Sequence, residues 1–271
     1  MNNPRITTII TVYNGADHIT DAVQSLLGQS ERGIEVLVVN DGSTDDTLQV
    51  LARIPDSRLR ILDLPRTGRA GALARACQEA KGLYIANLDA DDISFPDRLR
   101  KQADFLDSHP DHAWVGSGEE QADDRRAEHH RRVYPLTDEA IRRQSAKSIP
   151  YCHSSIMFRR SLVEEGLNYD PSQPFLIDFE FFLRVALRHK VANLPDILVK
   201  RYVRGKSFFQ SNFKTSRQNR RLAWFCALAV GRFHLPLHYY FYPFARLFYH
   251  WVPNGLKRRI RNWQGLKESH D

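Results

Sequence analysis

From Arg5 to Asp92 the chain alternates apolar, β-branched runs with stretches of helical spacing, and the joints between them are short. Arg5–Val12, Ile34–Val39, Arg58–Leu62 and Leu83–Leu88 read as strands, while Ala16–Gln29 and Gly71–Ala80 read as helices. Ile19, Val23, Leu26 and Leu27 recur at the period that keeps side chains on one helix face. Ser43 or Thr44 can cap a further short helix, where Asp45 and Asp46 suit the positive end of its dipole. Ile34–Val39 is an almost unbroken apolar run, as in a strand covered on both faces. Units of this length dictate right-handed crossovers. The expected fold class is therefore α/β, a mostly parallel sheet flanked by helices.

Beyond Asp92 the pattern loosens. Phe95–Asp107 and Phe179–His189 have helical spacing, and Ala113–Val115, Ile156–Phe158 and Ile197–Val203 read as short strands. Glu119–Arg132 is charge-dense and reads as an exposed loop. A main domain is expected over 1–207, with halves at about 1–110 and 111–207, followed by a helical, basic segment over 208–271. Charge marks that boundary: Lys200–Asp271 holds 15 Lys/Arg against two acidic residues, whereas the first 199 residues hold 24 basic and 30 acidic. Aromatic side chains crowd Phe233–Val252, and Lys257-Arg258-Arg259-Ile260-Arg261 follows with Trp263. Rings beside cations suit an anionic membrane surface, and the alternative is packing on the main domain with solvated charges. Nucleic-acid binding through the same tail is the weaker reading, since no recognised reading module is present. Cys77, Cys152 and Cys226 have neither metal-ligand nor disulfide spacing, which suits a reducing cytosol. Neither a leader pattern at the first residues nor an apolar run of spanning length is seen, so a cytoplasmic location, peripheral at the cytosolic face of a membrane, is expected.

Chemistry concentrates at strand ends. Leu83-Tyr-Ile-Ala-Asn-Leu-Asp-Ala-Asp-Asp delivers Asp89, Asp91 and Asp92 together, and three such carboxylates repel unless a cation or polar ligand lies among them. In open α/β sheets ligands bind at the carboxyl ends of strands. The plainer reading is an acidic turn capping the next helix. A second acidic strand end, Asn40-Asp41-Gly42-Ser43, weakens it. After the first strand, Thr11, Tyr13 and Asn14 offer a ring and small polar groups to a nucleobase, although Tyr13 as half-buried packing is equally plain. Asp178 and Glu180 open an otherwise apolar helix, a setting for a general base or for a helix cap. No phosphate loop or dinucleotide fingerprint occurs; Gly68-Arg69-Ala70-Gly71 has the wrong spacing.

In order and spacing, Thr8-Ile-Ile-Thr-Val-Tyr-Asn-Gly15, Ser25-Leu-Leu-Gly-Gln29, Glu35–Thr47 and Ala80–Leu99 resemble glycosyltransferase family 2, the inverting, nucleotide-sugar-dependent enzymes of GT-A fold that build bacterial polysaccharides. The resemblance runs from about Ile6 to Ser207. It implies that Thr11, Tyr13, Asn14, Asp41 and Asp89 bind the nucleotide, and that Asp91, with Asp89, holds Mn²⁺ or Mg²⁺. It implies Asp178 as the base that deprotonates the acceptor hydroxyl. His153, Glu180, Arg201 and Arg204 fall on the acceptor or diphosphate side. A sugar would pass from a nucleotide donor, UDP by default, to a saccharide or lipid-linked acceptor; nucleic acid is not an expected partner. Ile177 stands where the family commonly has Glu, and Arg201-Tyr-Val-Arg204 blurs its usual Arg-x-His. These departures motivate the alternative of a non-catalytic nucleotide-sugar binder.

Overall fold

The computed structural model describes residues 3–123, 128–202 and 216–248. The chain divides into two compact units, Met1–Ile141 with Ile149–Val203 and Arg142–Ser148 with Arg204–Asp271.

The first unit is built on a nine-stranded sheet. β1 (Ile6–Val12), β2 (Ile34–Asp41), β3 (Leu59–Leu64) and β4 (Tyr84–Asn87) are parallel and lie in the order β3-β2-β1-β4. Helices α1 (Ile19–Leu27), α2 (Thr47–Ala52) and α3 (Gly68–Glu79) connect them. Ile10, Val36 and Val38 from the strands share one core with Ile19, Val23 and Leu26 of α1. Truncating any of the larger ones to Ala would cost about 2–5 kcal/mol. Glu35 interrupts the apolar run of β2 at little penalty, because it accepts hydrogen bonds from Arg60 Nε and Thr7 Oγ1, both at 2.8 Å.

Past β4 the sheet becomes mixed. It continues through β5 (Ile93–Ser94), β6 (His112–Asp123), β7 (Glu128–Arg132), β8 (Met157–Arg159) and β9 (Lys190–Tyr202). β8 runs antiparallel to β4, with Ala86 opposite Met157, and β6 lies antiparallel to β8 but parallel to β9. The reversal has a functional consequence: an antiparallel β8 starts where β4 ends. The 3-10 turn His153–Ser155 that precedes β8 therefore sits at the acidic carboxyl end of β4. Arg98, fully buried in α4 (Arg98–Ser108), fastens this corner by donating from Nη2 to the carbonyls of Asn87 (2.7 Å) and Ile156 (3.1 Å). Burial pushes its guanidinium down to about 10.

The expectation of a loop over Glu119–Arg132 is corrected. Its described residues form a hairpin in which Glu119 faces Arg132 and Gln121 faces His130. Glu119 is fully buried in β6, receiving 2.6 Å and 2.7 Å hydrogen bonds from Arg201 Nε and the Tyr134 hydroxyl. The remaining helices of this unit include α6 (Ser161–Glu164) and α7 (Ile177–Arg188), while α5 (Asp138–Ser145) runs across the boundary between units. Phe179, Phe181 and Phe182 of α7 are buried, and Phe181 meets the Trp114 ring edge-on at 5.7 Å.

In the second unit, α8 (Ser216–Arg232), a 3-10 turn (Leu237–Tyr240) and α9 (Phe241–Phe248) are described. Lys147 sits 4.6 Å from the Tyr242 ring, and Arg246 donates to the Lys147 carbonyl at 2.8 Å. No helix among the described residues is long and apolar enough to cross a membrane. The expected tail cluster Lys257–Arg261 lies outside the described residues, as does Arg204.

Candidate active site

The carboxyl ends of the parallel strands carry two clusters. The first gathers around β1 and β2, whose register sets Val12 beside Asn40. Asp41 is buried, and its Oδ1 accepts from the Thr67 N–H (2.6 Å) and hydroxyl (2.9 Å) while Oδ2 accepts from Arg66 Nη1 (3.0 Å). The Arg66 guanidinium also lies over the exposed Tyr13 ring, 3.4 Å from its centre. Asn14 joins the loops after β1 and β2: its N–H donates to Ser43 Oγ (2.9 Å), and its side-chain oxygen accepts from Thr44 N–H (2.8 Å). Gly42 has φ +70°, and a Cβ there would stand 2.8 Å from the Arg66 nitrogen. Glycine is thus required for the β3–α3 loop to close over Asp41. Thr11 is half-buried at the end of β1.

The second cluster surrounds Asp89. Its Oδ1 accepts from Arg69 Nη2 at 2.6 Å and, more weakly, from Asn87 Nδ2 at 3.4 Å. Burial alone would push this carboxyl up, but the Arg69 guanidinium holds it well below the usual carboxylate range. Asp89, opposed by burial and aided by Asp178, raises Arg69 in turn. Arg69 Nη2 also meets His153 Nδ1 at 3.1 Å. A guanidinium only donates, so Nδ1 is the acceptor and the imidazole proton sits on Nε2, donating to the Tyr169 hydroxyl at 2.9 Å. Asp92 lies buried behind them, receiving hydrogen bonds from Ser154 Oγ (2.5 Å) and Tyr202 N–H (3.1 Å). Burial first, then the charges of Asp89 and Asp91, raise its carboxyl well above the ordinary value.

Asp178 stands half-buried in the first turn of α7, directly after Leu176 and Ile177. Leu176 is held at φ 55°, a left-handed conformation that a branched side chain adopts only when its surroundings impose it. This kink starts the helix so that Asp178 comes within electrostatic reach of Arg69, Tyr169 and Tyr151. The Tyr151 hydroxyl is buried with no hydrogen-bond partner among the described residues; burial and then Asp178 raise it well above the phenol range. Glu180, two residues on, is engaged elsewhere, accepting from Arg184 Nε at 2.7 Å. Arg201 is likewise occupied by Glu119.

The β3–α3 joint unites the clusters: Thr67 binds Asp41, and Arg69, two residues on, binds Asp89. Two residues reach at most about 7 Å along the backbone, so this joint ties the two acidic strand ends together. Of the residues singled out from sequence, Tyr13, Asn14, Asp41, Asp89, His153 and Asp178 line this constellation. Arg66, Thr67, Arg69, Tyr151 and Tyr169 belong to it and were not anticipated. Arg66 and Arg69 follow the carboxyl end of β3, so the strand-end rule could have found them. The two tyrosines come from irregular segments with no such signal.

Among the described residues no three His, Cys, Asp or Glu side chains converge into a metal cage. A hard divalent cation shared with a diphosphate needs only one or two protein carboxylates. Asp91 and Asp89 supply that number, and the upward push they exert on Asp92 marks negative charge that a cation would offset. The donor set therefore fits Mg²⁺ or Mn²⁺.

Residues 7–167 match the family model described as Glycosyl transferase family 2. The chain is 28% identical to EpsE of Bacillus subtilis (strain 168) over 273 residues, 96% of each protein. It resembles the crystal structure of S. aureus TarS 1-349 in complex with UDP-GlcNAc with a TM-score of 0.68 at 20% identity, covering 83% of this chain and spanning 66% of the other. The mannosyltransferase PcManGT from Pyrobaculum calidifontis, in complex with GDP-Man and Mn²⁺, gives a TM-score of 0.67 at 20% identity, over 92% of this chain and 71% of that one.

Proposed function

Because the chain belongs to glycosyl transferase family 2, we propose that this GT-A glycosyltransferase moves a sugar from a UDP-sugar to a hydroxyl of a saccharide or lipid-linked acceptor. One observation carries the reading: the segment 66–69 grips Asp41 at one end and Asp89 at the other, so a nucleobase platform, an acidic strand end and Asp178 border one cleft.

Tyr13 stacks the base, and the groups around Asp41 select its edge and ribose. Asp91 and Asp89 would hold a divalent cation, which would offset charge on the departing diphosphate. Arg69 adds a fixed positive charge beside the same oxygens and keeps Asp89 ionised. Asp178 accepts the acceptor's hydroxyl proton as that oxygen attacks the anomeric carbon in line, so the sugar inverts in a single displacement. His153, oriented by Arg69 and Tyr169, faces the acceptor side. The enzyme acts in the cytoplasm, peripheral to the cytosolic face of a membrane.

The test is release of nucleoside diphosphate from a panel of nucleotide sugars with Mn²⁺ or Mg²⁺. Turnover is expected with a UDP-sugar and is lost in Asp91→Ala; in Asp178→Asn, transfer is lost while donor binding persists. If the protein binds nucleotide sugar but wild type and Asp178→Asn are equally inert, it is a binder and not a transferase. No binding of any donor with any metal overturns both readings.

A further inference from the structure

The described helices of the second unit turn aromatic and aliphatic side chains toward solvent. α8 buries Leu222, Phe225, Cys226, Ala229 and Val230 at helical spacing, yet leaves Trp224 63% exposed. In the next turn and in α9, Leu237 is 82%, Phe241 68%, Phe244 60% and Phe248 54% exposed. Phe241, Phe244 and Phe248 are spaced i, i+3, i+7, so they form one outward stripe, and the last two rings lie 4.9 Å apart. An open groove of about 380 Å³ in the same unit is lined by Trp224, Leu228, Arg232 and Tyr240. A soluble helix ordinarily points such a stripe inward. Exposed apolar patches of this kind mark a site of contact.

The charge around the patch selects the occupant. Residues 142–148 and 216–248 contain eight Lys or Arg and no Asp or Glu. A second copy of the chain would bring the same cations to a self-complementary interface, with no carboxylate to meet them. Nucleic acid would answer the cations but would leave Leu237 and Leu247 without an apolar partner. A bilayer with anionic headgroups satisfies both: rings and leucines enter the headgroup–acyl boundary while arginines stay at the phosphate level.

We infer that α8, the Leu237–Tyr240 turn and α9 form a monotopic docking face that inserts Trp224, Leu237, Phe241, Phe244 and Phe248 into the surface of an anionic membrane. This deepens the peripheral location proposed above by assigning the contact to an apolar face and not to the charge of the tail. It places the chain where a lipid-linked acceptor would be presented.

The full chain is sedimented with vesicles of phosphatidylcholine, with and without phosphatidylglycerol, in the absence of donor and acceptor. Binding is expected with the anionic vesicles. It should weaken on the order of tenfold or more in Phe241→Ser/Phe244→Ser/Phe248→Ser, whose far-UV circular dichroism and donor binding stay as in wild type. In a Trp251→Phe/Trp263→Phe background, brominated acyl chains should quench Trp224. Four results overturn the proposal. One is a triple variant that binds as wild type while Lys257→Glu/Arg258→Glu/Arg259→Glu abolishes binding, which keeps the peripheral location but moves the contact to the tail. A second is a dimer in sedimentation that the triple variant dissolves, and a third is an oligonucleotide that binds more tightly than anionic vesicles. No vesicle binding by the intact chain overturns the location as well, and leaves the glycosyl-transfer reading to its own test.

Discussion

The Arg66 guanidinium covers the Tyr13 ring at 3.4 Å while donating to Asp41 at 3.0 Å. A nucleobase that stacks beside Tyr13 shares this cation. Arg66→Ala is expected to weaken nucleoside-diphosphate binding about tenfold, the worth of one cation–π contact of about 1–2 kcal/mol. The kcat at saturating donor should change little. Calorimetric titration with UDP decides it: an unchanged Kd in both Arg66→Ala and Tyr13→Ala would remove the base platform from this end of the cleft.

Arg69 and Asp89 pair at 2.6 Å beside the carboxylates assigned to the metal. Removing the guanidinium makes the cleft more negative and leaves Asp89 without its partner. Arg69→Ala should therefore need less Mn²⁺ for half-maximal turnover, by several-fold, since about 1.4 kcal/mol is tenfold in affinity. At saturating metal its kcat should still fall by roughly a hundredfold, because a positioned cation near the leaving group is lost. A metal midpoint that rises would show that Arg69 supports the metal site instead of competing with it.

Glu119 and Arg201 form a pair whose carboxylate is fully buried in β6. Burial opposes ionisation there, but Arg201, the Tyr134 hydroxyl and Gln121 hold Glu119 below its ordinary value. A folded-state value below the unfolded one, about 4.3 for glutamate, stabilises the fold above that pH. This stabilisation is lost as pH falls below it. Glu119→Gln should cost about 3–5 kcal/mol near neutrality, because a cation is left half-buried and unpaired. Its stability should then decline less steeply than wild type below pH ~4.3. Urea unfolding at several pH values measures both, and parallel curves for the two proteins would contradict the pairing.

Much of this architecture was legible because strand periodicity and strand-end chemistry are local. The runs ending at Val12, Asp41 and Asn87 are apolar for reasons of burial, and polar residues follow them at the carboxyl edge of the sheet, where open α/β sheets bind ligands. The hairpin over β6 and β7 was not legible. Its charged faces look like a loop until the Glu119 carboxylate meets Arg201, a residue 82 positions away. Arg69 was hidden for a different reason. Its glycine-flanked setting has no phosphate-loop spacing, and its importance comes from the β8 reversal that carries His153 to the end of β4. Tyr151 and Tyr169 reach Asp178 through tertiary packing alone, which no periodicity announces.

Tyr151 offers the sharpest separation of stability from activity. Its hydroxyl is buried without a hydrogen-bond partner among the described residues, within electrostatic reach of the Asp178 carboxylate. An unsatisfied buried hydroxyl penalises the fold by about 1–3 kcal/mol, so Tyr151→Phe, which keeps the ring packed against Trp114 and Phe182, should leave stability unchanged or slightly higher. If that hydroxyl instead awaits the acceptor's oxygen beside the base, the same variant should raise the acceptor KM or lower kcat by about tenfold, the loss of one hydrogen bond near a charge. Donor binding should be unaffected. Thermal unfolding together with transfer kinetics reads both effects. A variant that loses stability and keeps full transfer would assign the hydroxyl to the fold and not to the reaction.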